Sequence, residues 1–142
     1  MTTAPERPRR FEPPSSPVSE PFWAATREKR LIVQWCLDCD KAFFYPRENC
    51  PRCLGTNLEW RDSEGTGTLY SFTINHLGAN PTGGEGPFAV AVIELSDGFR
   101  MMSNVVGCSL DELKVDMALR ISWDELSDGR NYPVFEPAGG SA

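Results

Sequence analysis

Four cysteines in two pairs constrain this chain more than any other feature. They read Cys36-Leu-Asp-Cys39, then ten residues, then Cys50-Pro-Arg-Cys53. Each C-x2-C brings two thiolates within reach of one metal ion, and two such knuckles complete a tetrahedron. Two disulfides would need an oxidising compartment. A thioredoxin-like redox pair would use a single C-x-x-C in a βαβ setting, not two in a short loop-rich stretch. The spacing therefore predicts a metal site made by Cys36, Cys39, Cys50 and Cys53. Four protein ligands close the shell and leave no position for water or substrate, so the site reads as structural. Zinc is the favoured ion, and iron in a rubredoxin-like site takes the same ligands. Asp40 and Gly55 follow the knuckles, where a tight turn wants residues tolerant of left-handed geometry.

The rest of the chain is organised around this ribbon. A length of 142 residues suits one domain, or one domain with a small module. The net charge is −6, with +2 over residues 27–61 and −8 over residues 62–142. A protein that neutralises nucleic-acid phosphates is normally basic, so no nucleic-acid partner is expected. This holds although Trp35, Phe43, Phe44, Tyr45 and Trp60 offer surfaces on which bases can stack. No apolar run approaches the ~18 residues of a membrane span. Residues 1–21 lack the apolar centre of a secretory signal, and a cytoplasmic location is expected. Six of the twelve prolines fall in residues 1–21, which reads as a disordered or extended arm.

A helix is predicted over Phe22–Arg30, with Glu20 and Pro21 at its start, and residues 31–35 lead in as strand. The domain plan is an arm at 1–21, helix and lead-in strand at 22–35, ribbon at 36–57, an OB-fold at 58–137 and a tail at 138–142. Leu58–Arg61 is a short candidate strand. Thr66–His76 is longer, with Tyr70, Phe72 and Ile74 expected on one face. Gly65 and Gly67 suggest a bulge or bend at its start. A Gly/Pro loop spans 77–87. Phe88–Leu95 and Phe99–Val106 flank a Ser96-Asp97-Gly98 hairpin turn. Ser109 to Glu112 reads as a capping box opening a short helix. Ala118–Asp124 and Tyr132–Glu136 complete the set. Five strands with a short helix between the third and fourth is the order of an OB barrel. The fold class is thus mainly β: N-terminal helix, rubredoxin-like zinc ribbon and C-terminal five-stranded barrel.

These motifs in this order resemble a known family. The N-terminal half is carried by Pro21-Phe22-Trp23, Lys29-Arg30-Leu31, Gln34-Trp35-Cys36, Tyr45-Pro46-Arg47 and the second knuckle. The C-terminal half is carried by Gly65-Thr-Gly67-Thr-Leu-Tyr70 and by the Val92–Leu95 and Asp97-Gly98 hairpin. The family is the domain-of-unknown-function 35 group, acyl-CoA-associated OB-fold proteins with a zinc ribbon. Asp40 stands where a glycine is more usual in that group.

The resemblance implies a non-catalytic partner of a thiolase-like or lipid-transfer-protein-like enzyme. One such enzyme is a retro-aldolase that cleaves a 3-hydroxyacyl-CoA side chain in bacterial steroid degradation. Thiolase or acyltransferase complexes of other acyl-CoA metabolism are one alternative; a zinc-ribbon/OB nucleic-acid-binding module, which the acidic charge opposes, is the other. It further implies a heterotetramer around a partner dimer, with acyl-CoA at a shared site. The residues agree with a supporting role. The chain has one histidine, His76, and one cysteine outside the knuckles, Cys108. No phosphate loop or Ser-His-Asp set is evident. A CoA diphosphate needs cations, and Arg27, Lys29, Arg30, Arg47 and Arg52, with Lys41, are the local supply.

Overall fold

A computed structural model describes residues 12–76, Pro81 and 86–138. The expectations for residues 1–11, for most of the 77–87 loop and for 139–142 fall outside the described residues. Helix α1 spans Glu20–Thr26, with proline and glutamate in its first turn. It starts before and stops short of the predicted Phe22–Arg30. Lys29 adopts φ 56°. The Arg30 N–H then returns to Ala25 O at 3.1 Å, and the Lys29 N–H to Thr26 O at 2.9 Å, closing the helix with a left-handed residue. The helix buries Phe22, Trp23, Ala25 and Thr26.

Three strands form the ribbon sheet: β1 (Ile32–Cys36), β2 (Lys41–Phe43) and β3 (Leu58–Asp62). Their order is β2-β1-β3, all antiparallel. β3, grouped by sequence with the barrel, pairs instead with β1, from Ile32↔Asp62 to Cys36↔Leu58. The pairing sets the Arg61 guanidinium 4.2 Å over the Trp35 ring. Trp35 is thereby engaged within the sheet.

The barrel strands are β4 (Thr66–Asn75), β5 (Phe88–Leu95), β6 (Arg100–Ser103), β7 (Ala118–Glu125) and β8 (Asn131–Pro137). Their order is β6-β5-β4-β7-β8. A single 3-10 turn, Leu110–Glu112, lies between β6 and β7, with Ser109 Oγ accepting the Asp111 N–H. The two edges meet at a parallel bridge, Val105↔Phe135. There Phe135 N–H donates to Asn104 O at 3.0 Å and Val106 N–H to Phe135 O at 2.8 Å. This is the expected OB arrangement.

β4 departs from simple alternation. Its register against β5 shifts between Leu69 and Ser71. Leu69 is fully buried, while Tyr70 is 46% exposed and lies under the Arg100 guanidinium at 3.8 Å. Phe72 and Ile74 pack on the core, so the bulge separates Tyr70 from the face it was expected to share. Gly67 sits where β4 and β5 approach most closely: a Cβ there would lie 2.2 Å from Glu94 O. Only glycine fits.

One continuous apolar cluster joins all parts. It includes Phe22 and Trp23 of α1, Leu31, Val33 and Ala42 of the ribbon, and Leu69, Ile93, Phe99 and Phe135 of the barrel. Phe44 stands at the junction, its ring centroid 5.5 Å from Phe22 and 5.8 Å from Phe99. The ribbon has only a small second cluster, Cys36, Phe43 and Cys50. No helix among the described residues is long and apolar enough to cross a membrane.

Candidate functional site

Each knuckle is a backbone loop wrapped around sulfur. The Asp40 N–H donates to Cys36 O at 2.8 Å, and the Leu54 N–H to Cys50 O at 2.8 Å. Asp40 has φ 56° and Leu54 φ 64°. The left-handed position after the second knuckle is therefore Leu54, not Gly55 as expected. Gly55 sits close to a sulfur instead. Its N–H points at Cys53 Sγ at 3.4 Å, and a Cβ would lie 3.3 Å from that sulfur. The Cys39 N–H donates to Cys36 Sγ at 3.4 Å and the Arg52 N–H to Cys50 Sγ at 3.3 Å. Such donors stabilise thiolates.

The four sulfurs all lie within 4.8 Å of one another. Cys36 Sγ and Cys53 Sγ are 3.7 Å apart, and Cys39 Sγ and Cys50 Sγ 3.9 Å. A tetrahedral ion with bonds of about 2.3 Å has sulfur–sulfur edges of about 3.8 Å, so the residues fit such an ion. Cys36 and Cys50 are wholly buried. The thiols titrate unequally: a hydrogen bond with Cys53, then burial, pushes Cys39 up to about 12. The Cys53 backbone N–H draws Cys50 down to about 6. A cation that holds all four as thiolates removes this conflict.

The five cations proposed from sequence are dispersed. The Arg27 guanidinium donates to Asp128 O in the β7–β8 turn. Arg30 pairs with Asp62 at 2.7 Å and with Glu28 at 3.2 Å. The hydrogen bond to Asp62, then that to Glu28, raises the guanidinium's pKa. Lys29 and Arg30 line a groove of about 200 Å³ that also contains Asp62 and Glu64, so its charge is balanced. Arg47 is exposed, and its backbone is held by Gln34 through N–H and C=O bonds of 2.7 and 2.8 Å.

Arg52 lines a separate groove of about 400 Å³ between ribbon and barrel, with Phe44, Glu94, Phe99 and Arg100. Its Nη2 donates to Ala42 O at 3.1 Å. Arg100, which sequence reasoning did not single out, also lines this groove, its guanidinium paired with Glu94 at 3.4 Å. No local motif marks it; only the fold places it in one groove with Arg52. His76 is exposed just beyond β4. Cys108 is half-buried, and burial, then Glu112, raises its thiol pKa, which opposes a nucleophilic role.

Residues 23–59 match the ChsH2 rubredoxin-like zinc ribbon domain, and residues 60–124 the ChsH2 C-terminal OB-fold domain. A probable enoyl-CoA hydratase alpha subunit of Thermomonospora curvata is 31% identical over 135 residues. That match covers 94% of this chain and 42% of the relative. A 3-oxo-4,17-pregnadiene-20-carboxyl-CoA hydratase alpha subunit of Mycobacterium tuberculosis is 32% identical over 127 residues, covering 89% of this chain and 40% of the relative. The chain thus spans less than half the length of either. A solved chain of the Ltp2-ChsH2(DUF35) aldolase superposes with a TM-score of 0.79 at 30% identity, covering 89% of this chain and 99% of that one. With its ribbon, its barrel and nearly the whole of that solved chain matched, this protein belongs to the DUF35 family of zinc-ribbon OB-fold proteins.

Proposed function

We propose that this chain is a non-catalytic accessory subunit of an acyl-CoA-processing, thiolase-like enzyme. The finer reading is a retro-aldolase that cleaves a 3-hydroxyacyl-CoA side chain in bacterial steroid catabolism. One observation carries the proposal: a closed four-sulfur centre sits on a ribbon sheet that a continuous apolar core joins to an OB barrel. All four ligand positions belong to the protein, so a metal there, read as zinc, braces the ribbon and does not meet substrate. The likeness to a chain of a two-protein aldolase supports the choice of partner class. The pregnadiene-carboxyl-CoA relative supports a steroid side chain.

In this reading the subunit positions the partner and lends cations to a shared CoA-thioester site. Arg47 and Arg52 are the cations assigned to the CoA phosphates, with Arg27, Lys29 and Arg30 as a second set. Two copies flank a partner dimer in the cytoplasm. The deciding experiment is an affinity pull-down of the tagged chain from its native lysate, followed by mass spectrometry and light scattering. A stoichiometric thiolase-like protein in a 2:2 complex is the expected result. Recovery of a lone monomer still carrying its metal would overturn the reading. In calorimetry on the complex, Arg47→Ala with Arg52→Ala should weaken acyl-CoA binding; unchanged affinity removes these residues from the site.

A further inference from the structure

A strand edge is an open row of hydrogen-bonding groups, and the ribbon sheet keeps such a row along β3. On the opposite side of that sheet, Arg52 Nη2 caps the Ala42 carbonyl of β2 at 3.1 Å. β3 is the last strand on its side, and among the described residues no strand pairs with its outer edge.

The register decides which groups that edge offers. Leu37 N–H donates to Asn57 O at 2.9 Å, and Ser63 N–H to Leu31 O at 2.8 Å. Hydrogen-bonded pairs alternate along an antiparallel ladder, so between these two points Glu59 and Arg61 bond to Trp35 and Val33 of β1. Leu58, Trp60 and Asp62 turn their backbone groups the other way. Leu58 N–H is taken by Thr56 O at 2.9 Å. The edge therefore presents Leu58 O and the N–H and C=O of Trp60 and Asp62.

The side chains make this edge complementary to itself. β3 reads Leu58-Glu-Trp60-Arg-Asp62. An antiparallel copy related by a two-fold axis at Trp60 sets Trp60 opposite Trp60, and Glu59 opposite Arg61 in both directions. Directly opposed unlike charges stabilise a strand pair, and like charges destabilise it. Sliding the copy by two residues either way sets Glu59 against Glu59 or Arg61 against Arg61, so the charges select one register. Glu59 and Arg61 already pair along their own strand, and Arg61 lies over Trp35, so both heads are held on one face at 42% and 41% exposure. We propose that the β3 edge is a self-association surface, seating a second copy of this chain in an antiparallel β3–β3 ladder centred on Trp60. In it Trp60 N–H donates to Trp60 O of the second copy, and Asp62 N–H to Leu58 O, each reciprocated by the two-fold. An edge of five residues covers less than the about 1,200 Å² of a lasting interface, so the dimer forms and parts with concentration. The proposal is independent of the accessory-subunit reading.

The test uses the full chain in sedimentation equilibrium from about 10 µM to about 1 mM. Wild type should rise from the 15.8 kDa of one chain toward twice that mass. Glu59→Lys alone sets cations against each other across the axis, and Arg61→Glu alone sets carboxylates against each other, so each variant should stay monomeric. Mixed one to one, the two variants restore unlike charges at both positions and should form the heterodimer. A wild-type mass that stays constant overturns the proposal. So does a mixture no heavier than its components, or single variants that dimerise as wild type does. Should either variant misfold, hydrogen exchange on the wild-type chain decides. The Trp60 amide, on the open edge, should exchange at least about threefold slower at about 1 mM than at about 10 µM, while the Arg61 amide, already bonded to β1, keeps its rate. A Trp60 rate independent of concentration refutes the ladder.

Discussion

Removing the metal from the four-cysteine centre should unfold the ribbon loops and spare the barrel. The reason lies in what else holds the knuckle loops, 37–40 and 50–55, since Ala42 and Phe44 between them pack on the main core. The ribbon's own cluster contains one large apolar side chain, Phe43, besides two of the cysteines, with Leu58 at its edge. Burial of a phenylalanine stabilises by about 1.5–3 kcal/mol. A structural zinc contributes roughly 10–16 kcal/mol in small ribbon-like peptides at neutral pH. The ion therefore outweighs the apolar packing several-fold.

The barrel is different, since Leu69, Ile93, Leu95, Leu119 and Phe135 are each at most 2% exposed and include no metal ligand. Chelation, or Cys50→Ser at a wholly buried ligand, should thus act locally. Hydrogen exchange reads this out residue by residue. The Asp40 and Leu54 amides, which close the knuckles at 2.8 Å, should exchange about 10³-fold faster. Amides of the β4–β5 ladder should change by less than about tenfold. Two results would refute the reasoning: knuckle amides that stay protected without metal, or barrel amides that lose protection in step with them.

Four further predictions follow from single contacts. Gly67→Ala should destabilise the chain by about 2–4 kcal/mol in denaturant melts, because the added carbon meets backbone atoms of Glu94 and Leu95 that cannot rotate away. Thr26→Val should cost about 1–3 kcal/mol, since it strands the buried Asn131 N–H that Thr26 Oγ1 accepts at 3.2 Å. Arg30→Ala should leave the thermal midpoint close to wild type, as its ion pairs are half-exposed. Asp128 gives a pH signature. Its carboxyl is held below the ordinary range, first by the Arg130 backbone N–H. A depressed folded pKa contributes stability above the unfolded value of about 4 and loses it as pH falls through the folded one. The penalty of Asp128→Asn should therefore be present at pH 7 and shrink toward pH 2 in thermal melts.

Much of the metal centre was readable from sequence because ligand spacing is a local property. The five barrel strands were likewise legible from alternation and turn residues, since each is set by its own neighbours and by the Asp97-Gly98 turn. What escaped notice was decided by packing between distant segments. Tyr70 leaves the core because β4 bulges against β5, and the bulge depends on a partner strand. β3 belongs to the ribbon because β1 offers it an edge, which composition does not reveal. The helix end turns on Lys29 adopting a left-handed conformation that its residue type disfavours. Gly55 was noticed for the right knuckle and the wrong reason: its small size beside a sulfur matters, while Leu54 makes the turn. Arg100 shares a groove with Arg52, and Ser127 donates two hydrogen bonds to the Glu12 carboxylate, across separations that no window along the chain contains.

The unbroken core from Phe22 through Phe44 to Phe99 has a mechanical consequence. A ribbon hung on a flexible linker would sample many angles to the barrel, and two surfaces on it could engage a partner independently. Here the aromatic weld removes the hinge. The ribbon sheet is held against the barrel by packing, so the molecule works as a set-square: whatever seats one arm of it orients the other.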